Sequence, residues 1–252
     1  MRFLNLTMAD VIPDSKTVWN FREQIVNLKL VDVIFDLFLK ELKQLGLVVN
    51  EGKIIDASLI KVPKQRNSRD ENKQIKNSET PKSFEENLNK KEQKDVDARW
   101  TKKNNVTYYG YKNHVKVDSK SKIIVKYEVT DASVHDSQTL ESLLDEKDAD
   151  EDLFGDSAYR GQKQQDIISQ KEINNKTCKK GYKNSPLTQE DKATNKEKSR
   201  VRSRVEHIFG FMQGAMNGMN LYAIGIKRIE GLVGLMNLTY NMFRKIQLQT
   251  IS

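Results

Sequence analysis

Two aspartates stand inside short apolar runs, and no other feature narrows the fold as much. Asp56 lies in Lys53-Ile54-Ile55-Asp56-Ala57-Ser58-Leu59, and Asp156 in Leu153-Phe154-Gly155-Asp156-Ser157-Ala158-Tyr159. Both runs read as strands. A carboxylate among apolar neighbours is costly unless it is paired or binds a cation. One such Asp is explained by a strand-end cap; two of them, joined by a third acid in an ordered setting, point to a metal-binding triad. The third acid is Glu206, in Arg200–Met212 (RVRSRVEHIFGFM). At helical spacing Val201, Val205, Ile208, Phe209 and Met212 share one stripe, the core side of an amphipathic helix. Arg202 and Glu206 sit one turn apart along its edge. Alone they read as a surface ion pair; beside Asp56 and Asp156 they read as part of a site.

Composition bounds the alternatives. The 252 residues suffice for one sizeable core with a small appendage. One cysteine (Cys178) and three histidines (His114, His135, His207) exclude a disulfide framework and argue against structural zinc. Nothing approaches the length of a transmembrane run, and the start carries no signal-peptide core, so a cytoplasmic location is expected, with no membrane partner. The net charge of +8 is concentrated: residues 61–105 hold 13 Lys and Arg against 8 acids, and residues 179–204 hold 9 against 3. Localised positive charge is the footprint of a polyanion.

Along the chain, residues 1–50 read as helical. Asp14 or Ser15 is placed to cap a helix with Val18, Phe21, Ile25 and Leu28 on one side. A second helix carries Val33, Ile34, Leu37, Phe38, Leu42 and Leu45 and stops at Gly46. Strand 53–60 follows. Residues 61–105 have almost no apolar periodicity and predict a mobile basic insertion. Alternation predicts a hairpin from Tyr109–Val117 to Ile123–Val129, turned at Asp118-Ser119-Lys120-Ser121. A helix over 137–146, a strand over 152–158 carrying Asp156, a helix over 161–171, a short strand near 173–178, the Glu206 helix and a final helix over about 225–247 complete the order. In the last, Ile226, Ile229, Val233, Met236, Tyr240 and Phe243 form the core stripe, with Lys227 and Arg228 outside it as phosphate contacts.

Four pieces of the chain carry a family resemblance: IIDASLIK around Asp56, DARWTKKNNVTYYGYKNHVKVD over 97–118, DLFGDSAYRG over 152–161 and SRVRSRVEHIFGFM over 199–212. Together they resemble the catalytic part of bacterial insertion-sequence DDE transposases, in the IS-five-like branch. The family's Arg-x-x-x-Glu signature falls on Arg202 and Glu206. Ser199 and Gln213 stand where the family has Tyr and Lys. FLNLTMADVIPDSKTVWNFREQI resembles the end of the family's helical N-terminal region, so a shortened N-terminus is expected.

The resemblance implies an α/β fold: an RNase H-like mixed sheet flanked by helices, in the order βββαβαβα. A small helical segment (1–50) would precede a catalytic domain (51–252) with the basic insertion at 61–105. It implies a transposase that cleaves transposon ends and transfers strands into target DNA, as a homodimer on paired ends. Asp56, Asp156 and Glu206 would hold two Mg²⁺ ions, with Mn²⁺ substituting, because hard cations want oxygen ligands. Arg202 would orient Glu206 or grip a phosphate. Lys179, Lys180, Lys183, Lys198, Arg200 and Arg204, together with the Lys and Arg of residues 61–105, would hold DNA. Asp97 is a candidate supporting acid that also reads as a turn residue. His135 and Asp136 read as leaning over the site, or Asp136 as a helix cap. Tyr159 and Trp100 read as base-stacking or core residues. Two other readings stand beside this one: a non-catalytic DNA-binding remnant, and an RNase H-type nuclease acting on a structured or hybrid nucleic acid.

Overall fold

The computed structural model describes residues 7, 10–183 and 185–251; the expectations for residues 1–6, 8 and 9 fall outside them. Helix α1 (Ser15–Asn27) starts where the Asp14 carboxylate accepts the Thr17 N–H at 2.7 Å. It buries none of its residues: Val18, Phe21 and Leu28 of the expected stripe are exposed. Instead Val26 packs onto Gly231, where a Cβ would come within 2.2 Å of it. Helix α2 (Leu30–Gln44) ends at Gly46, whose φ is +69. Its buried face is Val31, Phe35, Leu39 and Leu42; of the predicted set Leu42 is buried and Phe38 packs half-buried against the core, while Val33, Ile34, Leu37 and Leu45 are exposed. This helix is apolar on several sides, so periodicity alone could not choose the face that meets the sheet.

Strand β1 (Lys53–Lys61) is the middle of the sheet. Residues 61–105, expected as a loop, contain regular structure: α3 (Arg69–Lys76), α4 (Lys82–Glu85), α5 (Leu88–Glu92) and strand β2 (Arg99–Lys103). A Ser68–Glu71 capping box starts α3, Ile75 and Phe84 are buried, and Lys90 bridges Glu71 at 2.7 Å. Caps and one ion pair replace the missing periodicity.

Strands β3 (Val106–Asp118) and β4 (Ile124–Asp131) form the expected hairpin, with the Asp118 carboxylate accepting the Ser121 N–H at 2.7 Å in the turn. The helix expected over 137–146 is a 3₁₀ turn at Asp136–Thr139 and a single helical turn, α6 (Leu140–Leu143). Strand β5 (Asp152–Phe154) ends earlier than expected, before Gly155, so Asp156 lies just beyond it. Helix α7 (Gln162–Gln170) and strand β6 (Asn174–Asn175) follow. The predicted single helix around Glu206 is two, α8 (Gln189–Arg202) and α9 (Arg204–Gln213), joined at Ser203; helix α10 (Ile226–Ile251) is last.

The sheet runs β2–β3–β1–β5–β6, with β4 also paired to β3. The β1–β3, β2–β3 and β3–β4 pairs are antiparallel; β1–β5 and β5–β6 are parallel. This is the expected RNase H-like mixed sheet flanked by helices. Because side chains alternate along β1, Ile54 and Ile60 join one core with Val115, Val205, Ile208, Ile229 and Val233, while Ile55 joins a second with Leu140, Leu153 and Tyr159. Helix α10 is pinned by amides as well as by packing. Asn113 donates to the Asn237 side-chain oxygen at 2.8 Å, and Asn241 both accepts from and donates to the Ile124 backbone.

Gly110 is where β3 passes β1. Its φ is +146, and a Cβ there would lie 2.1 Å from the Ile60 carbonyl oxygen. Gly110→Ala is therefore expected to lower stability by about 2 kcal/mol or more in urea unfolding, through backbone strain and the clash together.

Candidate functional site

Asp56 faces the same side of the sheet as Ile54 and Ile60, under α8 and α9. Burial pushes its carboxyl up to about 6; the Ala57 N–H and the Arg202 and Lys103 charges pull it down, and the nearby Asp156 charge pushes it further up. Its Oδ1 accepts the Ala57 N–H at 2.8 Å, and its Oδ2 accepts from Arg202 Nη1 at 3.1 Å. Asp156 reaches the same place by sheet register. Lys53 pairs with Leu153 and Ile54 with Phe154 in parallel, so two residues on Asp56 and Asp156 run level. Its carboxylate accepts the Ala158 N–H at 2.8 Å, capping the 3₁₀ turn Ser157–Arg160. The residue expected within a strand is therefore at a strand-to-turn junction, where a capped carboxylate is cheap to hold.

Glu206 stands in the first turn of α9. Val205, Ile208 and Met212 anchor that helix in the core, leaving Glu206 outward with its side chain 63% exposed. Arg202 Nη2 is 3.5 Å from Glu206 Oε1. Arg202 thus spans Asp56 and Glu206, and its shorter contact is to Asp56, the partner that helical spacing could not reveal. The guanidinium offsets part of the cost of the buried carboxylate.

Among the described residues no three His, Cys, Asp or Glu side chains are gathered closely enough to hold a metal ion. The donor chemistry nevertheless suits a hard divalent cation: Asp56, Asp156 and Glu206 offer only carboxylate oxygens, two of them adjacent through the sheet register.

The predicted DNA contacts divide. Lys180, Lys183 and Arg200 are exposed. Lys179 pairs with Asp191 at 2.5 Å, Lys198 donates to the Thr177 carbonyl at 3.2 Å, and Arg204 donates to the Ser119 carbonyl at 2.6 Å. Those three contacts order α8 and α9 against the sheet. Asp97 accepts the Ile226 N–H at 3.0 Å and so caps α10. His135, not Asp136, caps the 3₁₀ turn, and Asp136 pairs with Lys112 at 2.8 Å. Tyr159 is fully buried; Trp100 is exposed and packs against Tyr109. Arg228, expected at a phosphate, pairs with Glu23 at 2.7 Å. Lys103, whose charge reaches Asp56, is a neighbour of the site that sequence reading did not single out by residue.

The raised Asp56 carboxyl has a stability consequence. The unfolded chain ionises this group near pH 4 and the folded chain near pH 6. Its stabilising contribution is therefore complete below about pH 4 and is lost as pH rises through about 6. Relative to wild type, Asp56→Asn is expected to gain about 1–3 kcal/mol between about pH 4 and pH 7 in urea unfolding. Arg202→Met should move the wild-type midpoint to higher pH, since it removes the cation that favours the ionised form.

No helix among the described residues is long and apolar enough to cross a membrane. No solved structure matches the chain. Residues 49–242 match the family model described as a transposase DDE domain, a span running from just before β1 into α10 and enclosing Asp56, Asp156, Arg202 and Glu206. The chain belongs to the transposase DDE domain family.

Proposed function

We propose that this chain is a DNA transposase of the IS-five-like branch that cleaves transposon ends and transfers the freed strands into target DNA. The observation that carries the reading is the meeting of Asp56 and Asp156 at adjoining parallel strands, with Arg202 linking Asp56 to Glu206. The family as a whole works on DNA and generally uses divalent metal ions. Within it, residues 51–252 would be the catalytic domain, residues 1–50 a helical segment beside it, and the working unit a homodimer on two ends.

Asp56, Asp156 and Glu206 are assigned as the ligands of two Mg²⁺ ions, for which Mn²⁺ would substitute. Bound there, the cations would supply an activated nucleophile and stabilise the leaving oxygen. The protein's own contribution is positional. The β1–β5 register holds two carboxylates level, and the cap on Ala158 fixes the direction of Asp156. Arg202 favours the ionised form of Asp56 against the effect of burial, and its guanidinium would suit a backbone phosphate. Lys180, Lys183 and Arg200 are free to neutralise the DNA backbone.

Nicking of duplex DNA carrying the element's terminal repeats tests the reading. In Mg²⁺ or Mn²⁺ the wild type should nick at the repeat, and Asp156→Asn and Glu206→Gln should each lose about 100-fold or more in rate. Unchanged nicking by Asp156→Asn would sink it.

A further inference from the structure

Beyond Gly110 the sheet becomes a two-stranded ribbon. The last β1–β3 pair is Lys61 with Gly110, whereas β2 pairs with β3 from Arg99–Gly110 to Lys103–Val106. Asn104 and Asn105, at φ +51 and +62, close it with the positive-φ turn that a twisted two-residue hairpin needs. Between Arg99 and Gly110 the sequence has three cations and no acid, and Lys61 and Lys64 add two more at its base.

As at Lys180, Lys183 and Arg200, the charge here is not held by carboxylates, unlike much of the basic surface. Lys90, Lys112, Lys116, Lys126 and Lys179 each hold a carboxylate. Among the described residues no ion pair engages Lys61, Lys64, Lys102 or Lys103. Two of these four lie over aromatic rings: Lys61 Nζ is 5.5 Å from the Tyr108 ring centre and Lys64 Nζ 5.8 Å from that of Trp100. Such contacts orient an ammonium without neutralising it. Trp100, 43% exposed, rests on Tyr109 with ring centres 5.0 Å apart, which stiffens the ribbon. At the tip, Lys103 stands near enough to Asp56 for their charges to interact. A stiff strip of unneutralised cations beside the carboxylates fits a phosphate backbone.

We propose that the β2–β3 ribbon is a DNA-gripping arm, in which Lys64, Lys102 and Lys103 hold the duplex backbone and lead it to Asp56. A two-stranded ribbon has the dimensions to lie along a duplex groove. The proposal rests on the DNA-cleaving reading above. It adds to the 179–204 segment, where Lys179, Lys198 and Arg204 are internally engaged, a defined element that lies between Asp56 and Asp156 in sequence.

The test is fluorescence anisotropy of the full chain with a labelled duplex of roughly 30 base pairs, titrated over a series of salt concentrations. The Lys64→Gln/Lys102→Gln/Lys103→Gln variant should bind about 10-fold or more weakly at low salt. Its slope of log affinity against log salt should be shallower by about 2–3, close to one unit per lost phosphate contact. Lys→Gln changes at exposed sites leave the packing intact, and matching melting curves check this. If the wild type binds the duplex and the variant binds with the same affinity and slope, the arm is refuted while the transposase reading stands. If the wild type binds no duplex at all, both fall. A variant that loses binding only to an RNA hairpin would assign the ribbon to RNA and overturn the proposal.

Discussion

A carboxylate on the central strand of a buried sheet is the constraint around which this molecule is arranged. Asp56 cannot be left alone: burial favours its neutral form, and Asp156 beside it adds repulsion. Arg202 is the counterweight. It approaches from the end of α8 and fastens that helix to β1 at 3.1 Å. Because α8 and α9 meet at Ser203, the same arginine also fixes where α9 begins and so where Glu206 emerges. One guanidinium sets the relation between sheet and helix pair.

That arrangement holds only if the helices cannot slide. Val205, Ile208 and Met212 lock α9 into the larger core, and α10 is tied to β3 and β4 by Asn237 and Asn241. Directional amide bonds specify one seating among the several that a uniformly apolar helix would accept. The opposite face, around Ile55, Leu153 and Tyr159, supports the Asp156 turn from below. Gly155 fits tightly there: a Cβ would come within 3.1 Å of both Ile55 and Tyr159, and those side chains would have to shift.

Much of this was legible in the residues, because acids in apolar runs are rare and strand alternation is a strong signal. The β3–β4 hairpin, the strand carrying Asp56 and the stripe of α9 follow from periodicity, whereas α3, α4, α5 and β2 do not. What periodicity could not give were contacts between distant segments. The pairing of Arg202 with Asp56 spans 146 residues and has no local signature. Short elements held by side-chain caps escaped for a different reason, because they carry too few apolar residues to show a period: α3 rests on Ser68 and Glu71, and the turn after Asp156 on a single carboxylate. Helices α1 and α2 carry apolar residues on several sides, so the sequence marked them as helices without marking which face is buried. The acids in apolar runs suggested the grouping of Asp56, Asp156 and Glu206, and the family resemblance assigned it; the structure adds the register that sets the first two level and leaves Glu206 outward.

The attachment of α1 has a consequence for how the molecule breathes. With no residue buried, and held chiefly through Val26 against Gly231 and Glu23 against Arg228, this helix adds little to the cooperative unit formed by the sheet, α9 and α10. Its opening exposes almost no new apolar surface, so it requires far less free energy than global unfolding. Backbone amides of α1 should therefore exchange with solvent through local detachment, while those of β1, β3 and α10 exchange only when the whole core comes apart. The sheet, α9 and α10 form the cooperative core, and α1 is a loosely tethered helix beside it.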